Sequence, residues 1–136
     1  MDQLFKWLHV SGNLIWIGSI VAVAVLLTGS GPATSRGEAA LGVYRRLAVP
    51  AFLVSFVAGA IRLALSWKLF LVHTHWMHAK LPVALGVIAL HHVIGARARK
   101  MAQGTVPDAG PAGILGAALA ALAVLAAYFA IFRFPA

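Results

Sequence analysis

The chain contains no cysteine. That excludes disulfides, thiolate-ligated metals, iron–sulfur clusters and the covalent attachment of a c-type haem. Carboxylates are almost as scarce. Among 136 residues only Asp2, Glu38 and Asp108 carry one, and none falls within an apolar run. Carboxylate-based proton pumping and hard-cation sites therefore have no sequence support. Neither GxGxxG nor GxxxxGK[ST] occurs, so flavin and nucleotide cradles have none either.

What is abundant is apolar surface. Hydrophobic residues make up 62% of the chain and charged residues 10%. A soluble domain cannot hide that much apolar surface, so the composition predicts an integral membrane protein. The formal net charge is +8. The basic residues stand at the ends of apolar runs, where they set topology, and form no aromatic-interleaved patch. Nucleic-acid binding is not expected.

Four apolar runs read as spanning helices, at about 4–28, 49–69, 75–95 and 112–134, each near the 20 residues a bilayer requires. The expected fold is an all-α four-helix membrane bundle in one domain. The first run has a lone Lys6 ahead of it and no small-residue cleavage site, so it reads as a retained span rather than a signal peptide. The stretch from Ala33 to Arg46 reads as a polar loop with at most a short helix from Glu38, and 66–74 as a short turn. Four spans put both termini on one side. The two long loops hold Arg36, Arg45, Arg46, Arg97, Arg99 and Lys100, against Lys6, Lys68 and Arg133 on the other side. The positive-inside bias predicts cytoplasmic loops and periplasmic termini, with Trp7, Trp67, Trp76 and Phe132 in an outer aromatic belt.

This topology places His9, Arg62, His78 and Lys80 at similar depth near the outer face, with His91 and His92 closer to the cytoplasm. Ionisable groups within spans are costly and are candidate functional residues by default. The third span carries most of them, in Trp76-Met77-His78-Ala79-Lys80-Leu81 and His91-His92. At helical pitch His78 and His92 lie about 40° apart on one face and about 21 Å apart along the axis. Lys80 and His91 share a second face, about 20° apart.

His9 and His78, on different helices, suit the axial positions of one b-type haem. Asn13, one turn below His9, is placed to orient its ring. Arg62 suits a haem propionate or another carboxylate. Lys80 either snorkels to the interface or serves as the cation for a carboxylated substrate. His91 and His92 are equally readable as a second metal site, a proton relay or polar contacts between helices; His92 is the weaker alternative as an iron ligand. Trp16 and the small-residue ladder from Gly113 to Ala127 read as packing.

The third-span motif, with a histidine 11 residues after its lysine, resembles that of the HemJ-type membrane protoporphyrinogen oxidases. Leu8-His9 with Trp16 seven residues on resembles the family's first helix, and Gly59 and Arg133-Phe134-Pro135 are weaker echoes. Trp16-Ile17-Gly18 is also similar to the first helix of CopD-type copper-resistance membrane proteins. The HemJ resemblance implies a bacterial inner-membrane enzyme that oxidises protoporphyrinogen IX to protoporphyrin IX. It implies haem b on His9 and a catalytic role for Lys80, with Arg62 and Lys80 facing the substrate propionates. The implied partners are the porphyrinogen, membrane lipid and a quinone or respiratory electron acceptor; a homo-oligomer stays open. A non-enzymatic b-type cytochrome is the next reading. A copper-handling protein ranks last, because Met1, Met77 and Met101 do not cluster.

Overall fold

A computed structural model describes residues 2–73 and 75–132, and every element among them is helical. Helix α1 is Asp2–Thr28, α2 is Ala33–Val43, α3 is Val49–Leu65, α4 is Trp76–Ala102 and α5 is Ala112–Phe132. Single π-helical turns occupy Tyr44–Ala48 and Lys68–Val72. Four helical stretches are long and apolar enough to cross a membrane: 2–28, 33–65, 76–102 and 112–132. The chain is thus a multi-pass helical protein of membrane-spanning character. Arg133-Phe134-Pro135 lies outside the described residues.

The largest departure from expectation is 33–46, which is helix rather than loop. Helix α2 runs through the π turn at Tyr44–Ala48 straight into α3, giving one 33-residue rod. At 1.5 Å per residue the rod is about 50 Å long, well beyond the roughly 30 Å hydrocarbon core. Local propensity helps little here, since Ser, Arg and Gly interrupt the alanines. Packing supplies the reason. Gly37 lies against the backbone of Met101 and Ala102 so closely that no side chain fits between them. Ala40 is fully buried beside it. That contact also explains why α4 continues past 95 to Ala102 and takes Arg97, Arg99 and Lys100 into the helix. The second span stops earlier than expected, at Leu65 rather than 69, and a π turn follows within 66–74. The first span begins two residues early, at Asp2.

Helix α1 is the hub. It packs most extensively on α3, then on α5 and α2; α5 lies along α4, and α2 along α4. Helices α3 and α4 scarcely meet. The core is aliphatic and small-residue, with Ile20, Val23, Leu27, Ile94, Met101 and Leu119 fully buried. Two polar clusters interrupt it, and both include α1.

Candidate functional site

The first cluster is built on His9. Its Nδ1–H donates to the Ser55 carbonyl oxygen at 2.8 Å, which leaves Nε2 unprotonated. Asn13, one turn on, offers its Nδ2 to that Nε2 at 3.3 Å. The Ser55 hydroxyl lies 2.7 Å from Asn13 Oδ1 and 3.0 Å from the His9 carbonyl. Ser55 is 1% exposed, so its hydroxyl and carbonyl rely on these partners. Gly59, the next turn of α3, gives the ring its room. A Cβ there would stand 2.8 Å from His9 Cε1 and Nδ1.

Asn13 therefore does meet His9, but on the nitrogen a metal would use. The group that fixes the ring from its other edge is the Ser55 carbonyl, the usual backbone anchor of a ligating histidine. The Asn13 bond, at 3.3 Å, is near the long end of the hydrogen-bond range and is the contact an incoming ligand would replace.

Two cations lie within electrostatic reach of His9: Lys80 and Arg62, which also act on each other. Arg62 Nε donates to Asp2 Oδ1 at 3.0 Å, and its guanidinium lies 5.8 Å from the Phe70 ring centroid. Arg62 is thus paired with a carboxylate of this chain, Asp2, which was not singled out from the sequence. Asp2 is mostly solvent-exposed, and such pairs contribute only about 0–1 kcal/mol, so Arg62 is easily released to another anion. Lys80 sits with Nζ 5.6 Å from the centroid of buried Trp76, one turn before it on α4. His9, Arg62 and Lys80, from three helices, thus lie within electrostatic reach of one another, and among the described residues no hydrogen bond joins them.

His78 is not drawn into this group. It is exposed, and its Nε2–H donates to the Leu71 carbonyl at 2.9 Å, in the connection between α3 and α4. Its ring neighbour is His75, at 6.4 Å. Among the described residues no hydrogen bond or ring contact joins it to His9.

The second cluster surrounds His91, which is 1% exposed. Trp16 Nε1–H donates to its Nδ1 at 3.0 Å, so the ring proton lies on Nε2 and points to the Tyr44 hydroxyl oxygen at 3.2 Å. The ring stacks on Tyr44 and on Phe52, with centroids 4.9 and 5.1 Å away. Both nitrogens are committed to interhelical bonds. Of the readings open for His91, the structure gives the polar contact between helices. Trp16 packs as expected and is also a donor. Tyr44 reaches His91 because Gly95 has no side chain; the phenol ring occupies that space.

A substitution pair tests this fit. Gly95→Ala forces the buried Tyr44 ring aside and is expected to destabilise the detergent-solubilised protein by about 1–3 kcal/mol, the usual cost of overpacking. Gly42→Ala, where nothing lies within 4 Å of the added methyl, is expected to be neutral or slightly stabilising. Thermal unfolding of the two variants side by side decides it. Equal midpoints would mean that Tyr44 is not held against α4.

Ser55, Tyr44 and Phe52 were not singled out from the sequence, and Gly59 was noted only as part of the resemblance, not as the space for the His9 ring. Ser55 had a usable signal, as a hydroxyl residue in an apolar span. Among the described residues no three His, Asp or Glu side chains are grouped to hold a metal ion. No family model, curated protein or solved structure matches the chain.

Proposed function

We propose that this chain is a haem b-containing membrane oxidoreductase that oxidises protoporphyrinogen IX to protoporphyrin IX. The observation that carries the reading is the His9 site. The imidazole is fixed by a backbone carbonyl through Nδ1, and its Nε2 lone pair is engaged only by the long 3.3 Å bond from Asn13, which a ligand would replace. Two cations from other helices, Lys80 and Arg62, lie within electrostatic reach of the ring. These residues fit a haem: His9 would hold the iron, and Arg62 or Lys80 would meet a propionate. When bound, the haem would supply the one-electron redox chemistry of the reaction.

The protein's own contribution is binding and orientation. Ser55 and Gly59 fix the plane of the His9 ring. Lys80 provides a charge at the outer end of α4 for a substrate carboxylate. Arg62, weakly held by Asp2, is free to exchange that partner for a propionate. The substrate is apolar with two carboxylates, so it is expected to enter from the lipid with its charges toward the interface. His78 would be the second residue to hold the iron, which requires it to leave the Leu71 carbonyl or to use Nδ1. The resemblance in the first and third helices adds to this reading.

The visible spectrum of the purified protein is the direct test. A b-type spectrum in the reduced-minus-oxidised difference, together with conversion of added protoporphyrinogen to fluorescent porphyrin, is expected. A colourless, inactive protein would sink the proposal.

The reading also has a sidedness. The Arg/Lys-rich end of the bundle, with Arg36, Arg45, Arg46, Arg97, Arg99 and Lys100, is proposed to face the cytoplasm of a bacterial inner membrane, with both termini periplasmic. Alkaline phosphatase fused after Ala136 is then expected to be active, and a cytoplasm-dependent fluorescent protein at the same point dark. The opposite pattern would invert the bundle.

A further inference from the structure

His92 is the one ionisable side chain of the His91 region that the core does not absorb. It is exposed, and among the described residues neither ring nitrogen has a hydrogen-bond partner. It stands edge-on to His91, with ring centroids 4.9 Å apart, and to Phe52, at 6.0 Å. Phe52 in turn lies 5.6 Å from Phe56, which is 52% exposed. His92 belongs to α4 and the two phenylalanines to α3, two helices that scarcely meet. Across their seam, exposed Phe56, half-buried Phe52, which is itself stacked on His91, and the unsatisfied imidazole of His92 form one aromatic strip. His92 lies about 7.5 Å along the helix from Arg97, so it sits toward the basic end of the span.

The surroundings define what can occupy the strip. Its open side belongs to the apolar surface of a span, as does Leu85, 65% exposed one heptad earlier on α4, so a lipid-soluble occupant suits it. The exposed Phe56 ring, inclined 37° to Phe52, favours a flat ring, and the imidazole N–H favours a carbonyl or similar acceptor. A polar group left unpaired in lipid is costly, which gives such a hydrogen bond more weight than it has in water. We propose that Phe52, Phe56 and His92 bind the ring of a lipid-soluble quinone, with the His92 N–H donating to a quinone carbonyl oxygen. The inference rests on the proposed oxidase reading for its purpose. Porphyrinogen gives up six electrons and six protons on becoming porphyrin, and three quinones, each taking two of each to become a hydroquinone, balance that. The geometry itself does not depend on the reaction. Trp16, which bonds to His91, lies 4.9 Å from Phe52 by ring centroids and links the strip to α1.

The test is equilibrium binding, independent of turnover. A decyl-substituted ubiquinone is titrated into the purified protein in nanodiscs of neutral lipid, and quenching of tryptophan fluorescence is followed. Saturable binding is expected in the wild type. His92→Phe, which keeps the ring but removes the donor, is expected to weaken it at least about tenfold, and Phe56→Ala about fivefold or more. His92→Gln keeps a donor and is expected to stay within about threefold. Unfolding midpoints near the wild-type value show that the variants are folded. Quenching that never saturates, or His92→Phe binding like the wild type, overturns the proposal. So does a loss of self-association in place of a loss of quinone binding, which would make the strip a contact between copies. The outcomes separate from those of the oxidase reading. A haem-free, inactive protein that still binds quinone through His92 would fail the enzyme and keep this site.

Discussion

His9→Ala is expected to purify as a folded membrane protein with about a tenth or less of the wild-type haem, while His78→Ala keeps much of it with an altered spectrum. The asymmetry follows from how each ring is held. His9 is fixed from the Nδ1 side by the Ser55 carbonyl and has Gly59 beneath it, so its Nε2 has a defined direction. His78 is exposed and anchored through Nε2 itself to Leu71. An iron that lost His78 would still have its better-placed ligand. The check is the reduced-minus-oxidised spectrum of each variant at equal protein. Ser55→Ala is the companion: it removes the hydroxyl but leaves the backbone carbonyl, so haem is expected to be retained. Wild-type haem in His9→Ala would remove His9 from the site and with it the main support for the oxidase.

Lys80→Ala is expected to reduce porphyrinogen oxidation about 100-fold or more with haem content preserved, the size expected for losing a charged contact of about 3 kcal/mol. Lys80 lies near the N-terminal end of α4 beside Trp76, in electrostatic reach of Arg62 and His9, so it can meet a substrate carboxylate without touching iron. It is two residues from His78, about 200° around the helix, so the loss should not disturb that ring. Lys80→Arg retains the charge and is expected to recover part of the rate. The informative measurement is turnover per haem. Loss of haem in Lys80→Ala would make the lysine a structural residue, and unchanged turnover would leave the substrate carboxylates to Arg62 alone.

These expectations differ in how far they could be read from the chain. The four spans were legible because twenty apolar residues in a row have few other uses. That His9, Arg62, His78 and Lys80 share one end of the bundle could be read as well, since alternating helix directions fix relative depth. The anchor of His9 was not, because its partner is a backbone carbonyl that any residue at 55 would present. The His91 cage was hidden for another reason: its members come from α1, α3, α4 and the turn at Tyr44, at separations no local spacing encodes. Helix α2 was misread as loop because its helicity depends on α4 lying against Gly37. The pairing of His9 with His78 came from depth alone. Depth does not say which way a ring points, and His78 turns to its own connecting segment.

The π turn at Tyr44–Ala48 has the form of a one-residue insertion in an otherwise continuous rod. Removing one residue there would restore an unbroken α-helical ladder and rotate everything upstream by about 100° relative to α3. Gly37 would leave the backbone of α4, and Tyr44 would swing off Gly95 and His91. The inserted residue thus sets the phase between two halves of the rod: α3 faces the His9 site while α2 faces the far end of α4. A single-residue deletion in this turn would preserve hydropathy, length and charge almost unchanged, yet unclasp one end of the bundle from the other.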